Sequence, residues 1–381
     1  MGTQGRINAL MIHNPIVKPN ILVISNYNDP VNPIRPEAEI FIGLAALKFN
    51  ITVITPTQGE YPAKLASAGC EIIDYLPKNK FDKKAIELIK ETIQRKNIQV
   101  VHAFNSKAIA NASWALWNNK KVKLVTYRGY TGNIKWYDPT NYLSFLNPRV
   151  DYMVCLAESV REMYLKSGVS KTKAITINKG HKRSWYDHIE PAKLDEFNFN
   201  EGAVVCSFVA NFRTKMKGVN YLIDAVSKIQ KDYNIYFLMI GEGLNTDEVI
   251  ASISDLGLQD RFRFTGFRKD ASNLVKACDI SISASIYGEA TQKAMIEAMY
   301  LGNAVIMTDI SGNRGMIENN VSGIIVPPKN ASKLYEAITR LSESPELRNK
   351  LAKGSLERVS THLSNDRTVK EYAAFYERIS I

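Results

Sequence analysis

Two glutamates eight positions apart, Glu289 and Glu297, are the side chains whose type and spacing best suit chemistry. They lie in the run DISISASIYGEATQKAMIEAMYLGNAVIMTD, which reads strand, loop, helix, loop, strand. The pattern predicts a strand over 279–285, a tight turn permitted by Gly288, and a helix over 291–300. Parallel sheets bind ligands beyond the carboxyl ends of their strands, and Glu289 falls there. With a helix starting between them, the carboxylates are roughly 10–12 Å apart along its axis at ~1.5 Å per residue. That is about the span from a hexose to a ribose across a folded diphosphate. The free N–H groups and positive dipole end of the helix suit the phosphates between. One carboxylate then accepts sugar hydroxyls and the other ribose hydroxyls.

A second run, VANFRTKMKGVNYLI, places Arg213, Lys215 and Lys217 after a strand that ends near residue 211, with a helix from about Gly218. Cations at a strand's carboxyl end suit a phosphate ligand. Negative charge grows on a diphosphate as it leaves an anomeric carbon, so fixed cations there stabilise the transition state more than the ground state. The sequence contains no DxD pair, GxGxxG or GxxxxGK[ST]. Cys70, Cys155, Cys206 and Cys278 form no CxxC, and His13, His102, His181, His188 and His362 are scattered. Neither a disulfide framework nor a zinc site is suggested. Protein cations, not a metal, are therefore expected to neutralise the diphosphate.

The elements that must position these groups alternate. Strands are expected over 21–25, 51–55, 71–75, 99–103, 123–127, 150–156 and 174–177, then over 204–210, 235–240, 261–265, 280–284, 304–308 and 323–326. Helical patterns cover 83–95, 158–166, 219–230, 247–254, 291–300, 331–343 and 367–378. Continuous apolar strands between helices argue for parallel sheets covered on both faces. The fold class is α/β: two Rossmann-like doubly wound domains facing across a cleft. Residues 1–183 form the N-terminal, acceptor-side domain, and 184–200, polar and irregular, form the linker. Residues 201–365 form the nucleotide-sugar domain, and 366–381 a helix packing back toward the first domain.

The chain has 381 residues, 45% hydrophobic and 23% charged, an ordinary globular balance. No apolar run reaches the ~18 residues that cross a bilayer, and residues 1–20 lack a signal-peptide core, so a cytoplasmic location is expected. Of the formal net charge of +11, about +10 falls in residues 1–200, and 101–150 alone holds about +6. Such asymmetry speaks of partners: a solvated basic face, an anionic acceptor, or an anionic membrane touched peripherally.

The motifs now support a resemblance. The second half, and more weakly the first, resembles the retaining GT-B glycosyltransferases of family four, also called group 1. Their E-x7-E pattern stands as Glu289 through Glu297, followed by AMYLGNAVI. The family's arginine and KG lysine match Arg213 and Lys217–Gly218. Gly241-Glu242-Gly243 matches its GxG turn, and Phe264-Thr265-Gly266-Phe267 its nucleobase loop. The resemblance implies transfer, with retention, from a nucleotide-diphosphate sugar to a saccharide or lipid-linked acceptor, in envelope or polysaccharide synthesis. It implies catalytic roles for Glu289, Arg213, Lys217 and Arg128, with donor contacts from Glu297, Gly218, Gly241, Gly243, Phe267, Thr291 and Gln292. Base, sugar and acceptor stay open, with a UDP-sugar ranked first; no cofactor and no nucleic acid are expected.

Three departures stand out. Ala290-Thr291-Gln292 replaces a common Gly-Phe-Gly, and the loop over 26–36 has Pro30, Pro33 and Arg35 where relatives have Gly-Gly. Arg128 stands where many members have histidine; it cannot act as a base at neutral pH but can hold an anionic group or orient the donor. Segment 128–149 is long, aromatic and basic. Lys135, Trp136 and Tyr137 from it, with His102, are the acceptor-side candidates, and the knot 179–183 is a further basic contact. The alternatives are a GT-B nucleotide-sugar epimerase and a non-catalytic sugar- or nucleotide-binding protein.

Overall fold

The computed structural model describes residues 18–28, 34–132 and 134–380. The N-terminal segment 1–17 and Pro30 and Pro33 of the first loop lie outside the described residues.

Short β-branched runs, buried on both faces, form two parallel sheets. The first holds β1 (Ile21–Ile24), β2 (Ile51–Thr55), β3 (Glu71–Asp74), β4 (Val100–Ala103), β5 (Lys123–Arg128), β6 (Tyr152–Cys155) and β7 (Ala174–Thr176), in the order 3-2-1-4-5-6-7. Its helices are α1 (Arg35–Ala46), α2 (Glu60–Ser67), α3 (Lys83–Arg95), α4 (Ser106–Ala115) and α5 (Glu158–Lys166). The second sheet holds β8 (Val204–Val209), β9 (Ile235–Ile240), β10 (Phe262–Gly266), β11 (Ile280–Ser283), β12 (Ala304–Thr308) and β13 (Ile324–Val326), in the order 10-9-8-11-12-13. It carries α6 (Thr214–Lys217), α7 (Val219–Val226), α8 (Asp247–Asp255), α9 (Ala271–Ala277), α10 (Lys293–Tyr300), α11 (Ala331–Glu343) and α12 (Pro345–His362). The last helix, α13 (Asn365–Ile379), follows.

Strand order reverses between β1 and β4 in one sheet and between β8 and β11 in the other. At such switch points the loops leaving adjacent strands diverge and open a crevice. The order therefore brings the loop after β8, with Arg213 and Lys217, beside the loop after β11, with Glu289.

The connection between the sheets is irregular, yet it is anchored. Trp185, Tyr186 and Phe197 are buried among Leu238, Met299 and Leu363 of the second domain. The chain crosses back beside this connection. His181 N–H donates to the Leu363 carbonyl (2.9 Å), and Asn365 N–H donates to that of His181 (2.9 Å). From there α13 lies on α1, burying Val369, Tyr372, Phe375 and Tyr376 in the first domain's core.

The four cysteines are free and buried. No described helix is long and apolar enough to cross a membrane.

At the crossing, a Cβ on Gly180 would lie 2.1 Å from the Ser364 carbonyl oxygen, a backbone atom with no freedom to rotate away. Gly180→Ala is therefore expected to force the two crossings apart and lower stability by about 1–3 kcal/mol, read as a lower urea midpoint. An unchanged midpoint refutes the close-crossing argument.

Candidate functional site

The loop after β8 is shaped by its backbone. Phe212 and Arg213 are both left-handed (φ 52° and 54°), a conformation that disfavours side-chain-bearing residues. It persists because neighbours over-determine it. Phe212 N–H donates to the Glu242 carbonyl (2.7 Å), and the Phe212 ring fills the place a Cβ on Gly243 would take, 2.3 Å from that ring. Gly241 and Gly218 answer the same demand. A Cβ would lie 1.9 Å from the Ala210 carbonyl oxygen at Gly241, and 2.0 Å from that of Ala284 at Gly218. Gly218 lets the backbones of the loops after β8 and β11 touch, while Gly241 and Gly243 seat the loop after β9 against the loop after β8.

The result places Lys217 Nζ 2.6 Å from Glu289 Oε1, with both side chains largely buried. Ser285 Oγ donates to the same oxygen (3.0 Å), while no contact engages Oε2 among the described residues. The Arg213 side chain has no hydrogen-bond or ion-pair partner among the described residues, and Lys215 pairs with Glu248 at the surface. One α10 residue completes the set: Lys293 Nζ lies 3.3 Å from Glu297. Sequence reasoning missed Lys293, although its place one turn before Glu297 on a helix is the spacing at which such pairs form.

Two cavities flank α10. One, of 620 Å³, lies between the domains and is lined by Phe104, Tyr127, Arg128 and Lys179 on one side and by Thr291 and Lys293 on the other. The second, of 270 Å³, takes in Glu297, Lys269 and Arg35, whose guanidinium stacks 4.1 Å from the Trp185 ring. Lys135, Trp136 and Tyr137 line a further cavity with Ser311 of the opposite domain. Phe267 is exposed beyond the end of β10.

One sequence expectation is corrected, and one candidate proves to have a structural contact of its own. His102 does not face an acceptor. It is fully buried in β4, its Nδ1 2.5 Å from Tyr376 Oη and its ring stacked on Phe104. Alternation along the strand turns it toward α13, whose packing the sequence did not reveal. Gln292 is buried and engages both ends of its amide within the second domain. It accepts from Ser283 Oγ (2.7 Å) and donates to Asn313 Oδ1 (2.7 Å), and Asn313 in turn donates to the Thr308 carbonyl (2.8 Å). This buried chain ties the start of α10 to the loop after β12. It also explains why α10 begins at Lys293, since Gln292 is extended.

Among the described residues no group of three or more His, Cys, Asp or Glu sits together as a metal site. His181 lines both α10 cavities, with its Nδ1 2.5 Å from Tyr186 Oη. Burial, then Lys293, Arg35 and Lys179, push its pKa down to about 3.

Two Rossmann-like domains facing across such a cleft are the GT-B architecture, shared with many solved glycosyltransferases. A glycosyltransferase from Rickettsia africae ESF-5 is similar at a TM-score of 0.77 and 24% identity, covering 95% of this chain and 98% of that one. HepE of Anabaena, solved with UDP-glucose, is similar at a TM-score of 0.66 and 17% identity, covering 94% and 98%. Residues 38–182 match the family described as Glycosyltransferase Family 4, and residues 190–358 match Glycosyl transferases group 1. The chain belongs to the group 1 glycosyltransferases. Among curated relatives, N-acetyl-alpha-D-glucosaminyl L-malate synthase of Bacillus anthracis is 20% identical over 292 residues, 75% of this chain and 76% of that protein. The chain spans about half the length of several others it matches, 59% of one and 43% of another.

His102, like His181, has its pKa pushed down to about 3 by burial, then by Lys179. In the unfolded chain both titrate near the ordinary ~6.5. The unfolded state thus takes up more protons below that value, and stability is lost as pH falls from about 6.5 toward 3. As pH falls from 6.5 the loss in His102→Gln should become shallower than in wild type, by about 1.4 kcal/mol per pH unit near pH 5, measured by unfolding against pH. Parallel curves would refute it.

Proposed function

We propose that this protein transfers a glycosyl group, with retention at the anomeric carbon and without a metal, from a nucleotide-diphosphate sugar to a saccharide or lipid-linked acceptor. A UDP-sugar is ranked first, as HepE binds one. The observation that carries the reading is the contact of Lys217 with Glu289 across the β8–β11 switch point, beside Arg213.

In this reading the diphosphate lies on Arg213 and Lys217, and the sugar hydroxyls meet the free oxygen of Glu289. The ribose hydroxyls meet Glu297. The donor draws on Lys217's remaining N–H groups, so the resting ion pair keeps cation and carboxylate aligned before substrate arrives. The bond from C1 to the diphosphate oxygen breaks while the acceptor oxygen bonds C1 on the same face. The acceptor's proton passes to the departing phosphate oxygen, and the nucleoside diphosphate leaves. Arg213 and Lys217 stabilise the charge that grows there. Glu289 is assigned no covalent role, because Glu297, roughly 10–12 Å away along the helix axis at ~1.5 Å per residue, is too distant to be the second carboxylate ~5–5.5 Å away that double displacement uses.

The basic first domain adds a partner, an anionic membrane surface of the envelope pathway. Phe81, Trp114 and Trp117 are exposed and in ring contact (5.5 and 6.0 Å), with Lys120 6.0 Å from Trp117. Aromatic rings settle at the headgroup level, and nearby lysines contribute about 1 kcal/mol each on anionic lipid.

One of UDP, GDP and ADP should raise the thermal midpoint of wild type, and Arg213→Ala and Glu297→Ala should lose that shift. Arg213→Ala should also lower kcat by about 10²–10³-fold, with transfer unaffected by EDTA and the product's anomeric configuration retained by NMR. Variants that respond like wild type, or an inverted product, overturn the reading. Trp114→Ser/Trp117→Ser should bind anionic vesicles more weakly than wild type in co-sedimentation; equal binding removes the membrane from it.

A further inference from the structure

Arg128 closes β5 at the carboxyl end of the first sheet and is 5% exposed. Its Nε donates to the Tyr130 carbonyl (3.2 Å) and its Nη2 to that of Gly132 (2.7 Å). The guanidinium lies 3.7 Å from the Tyr130 ring centre and 4.5 Å from that of Phe145. Carbonyls and rings orient this cation without neutralising it. Among the described residues no carboxylate pairs with it, and Nη1 has no acceptor. A buried charge left unpaired is costly, so the arrangement needs a reason.

Charge around the 620 Å³ cavity supplies one. Arg128, Lys179 and Lys293 line it, against the single carboxylate of Glu37. Glu37 is already engaged, by Lys179 at 3.6 Å and by the Ser25 hydroxyl at 2.7 Å. Lys293 is paired with Glu297 outside this cavity. His181 on the same wall stays neutral at physiological pH, its pKa held near 3 by burial and then by Lys293, Arg35 and Lys179. The uncompensated charge is that of Arg128, and it borders a space of small-molecule size with Phe104, Tyr127 and Phe145 in its walls.

We infer that the acceptor carries an anionic group, a carboxylate or a phosphate, and that Arg128 holds this group in the interdomain cavity. Arg128 is thus a specificity residue for the acceptor, not part of the donor clamp, whose cations stand on the opposite sheet. The inference rests on the glycosyl-transfer reading above for the word acceptor alone; the anion site itself does not. A guanidinium offers a planar fork to an oxyanion, and in a site of low dielectric that contact is strong. An acceptor lacking the charge leaves Arg128 unpaired and is rejected on that account. The aromatic walls take the acceptor's apolar faces.

The test uses the full chain saturated with UDP and three probes: glucuronate, glucose 6-phosphate and the uncharged methyl glucoside, with binding followed by ligand-observed NMR. An anionic probe is expected to bind and methyl glucoside is not; the tighter anion distinguishes carboxylate from phosphate. Arg128→Gln should weaken the anionic probe by about thirtyfold, and Arg128→Lys should fall between it and wild type. A persisting UDP-induced thermal shift reports that each variant is folded. The inference is overturned if neither anion binds, if methyl glucoside binds as well as the anions, if Arg128→Gln binds them like wild type, or if UDP competes with them. Should none of UDP, GDP and ADP bind wild type while the anions bind in an Arg128-dependent way, the donor reading falls and the anion site stands.

Discussion

Everything at the cleft depends on how closely the loops leaving β8 and β11 approach one another. Backbone meets backbone there, as Gly218 lies under the Ala284 carbonyl. Only this closeness lets a lysine from one loop reach a glutamate from the other at 2.6 Å. Such a buried pair is a poor investment for stability alone, since desolvating both charges consumes most of the Coulomb gain. Its value is in holding a cation and a carboxylate in register at the place where the strand order opens a crevice.

Around this point the polar interior is organised to resist drift. The chain from Ser283 through Gln292 and Asn313 to the Thr308 carbonyl joins three elements at the start of α10. At the other end of that helix, Tyr300 donates to the His181 carbonyl (3.0 Å), where the chain passes between domains. The helix of the proposed donor clamp is therefore fastened at both ends. The two sheets are joined by two crossings of backbone and by α13.

The fold was legible wherever pattern is local. All thirteen expected strands are present, and α3, α5 and α11 have the expected bounds, because amphipathic periodicity and side-chain N-caps at Asp82 and Asn330 speak directly from sequence. Two helices carry no such contrast. In α4, six consecutive residues are buried, so no polar face interrupts the pattern. In α12, Gly354 breaks the helical pattern, yet it is there because a Cβ would lie 2.1 Å from the Val321 carbonyl oxygen. The linker read as polar and irregular, but nothing in it says that Trp185 and Phe197 find hydrophobic berths a domain away.

At the site the same division holds. By itself the sequence determined that two α/β units exist, that Glu289, Arg213 and Lys217 end up beyond strand carboxyl ends with Glu297 on the helix that follows, and that they belong to one family's pattern. These are consequences of residue type and short spacing, which act within a few residues. Only the tertiary structure decided which charges meet. Lys217 found Glu289 72 residues away, Lys179 found Glu37, and Arg128 was left with carbonyls and rings but no counter-charge. It also decided that His102 faces the last helix, since Tyr376 comes from the far end of the chain. Burial and pairing depend on which distant surfaces are pressed together, and a string of residue types does not carry that information locally.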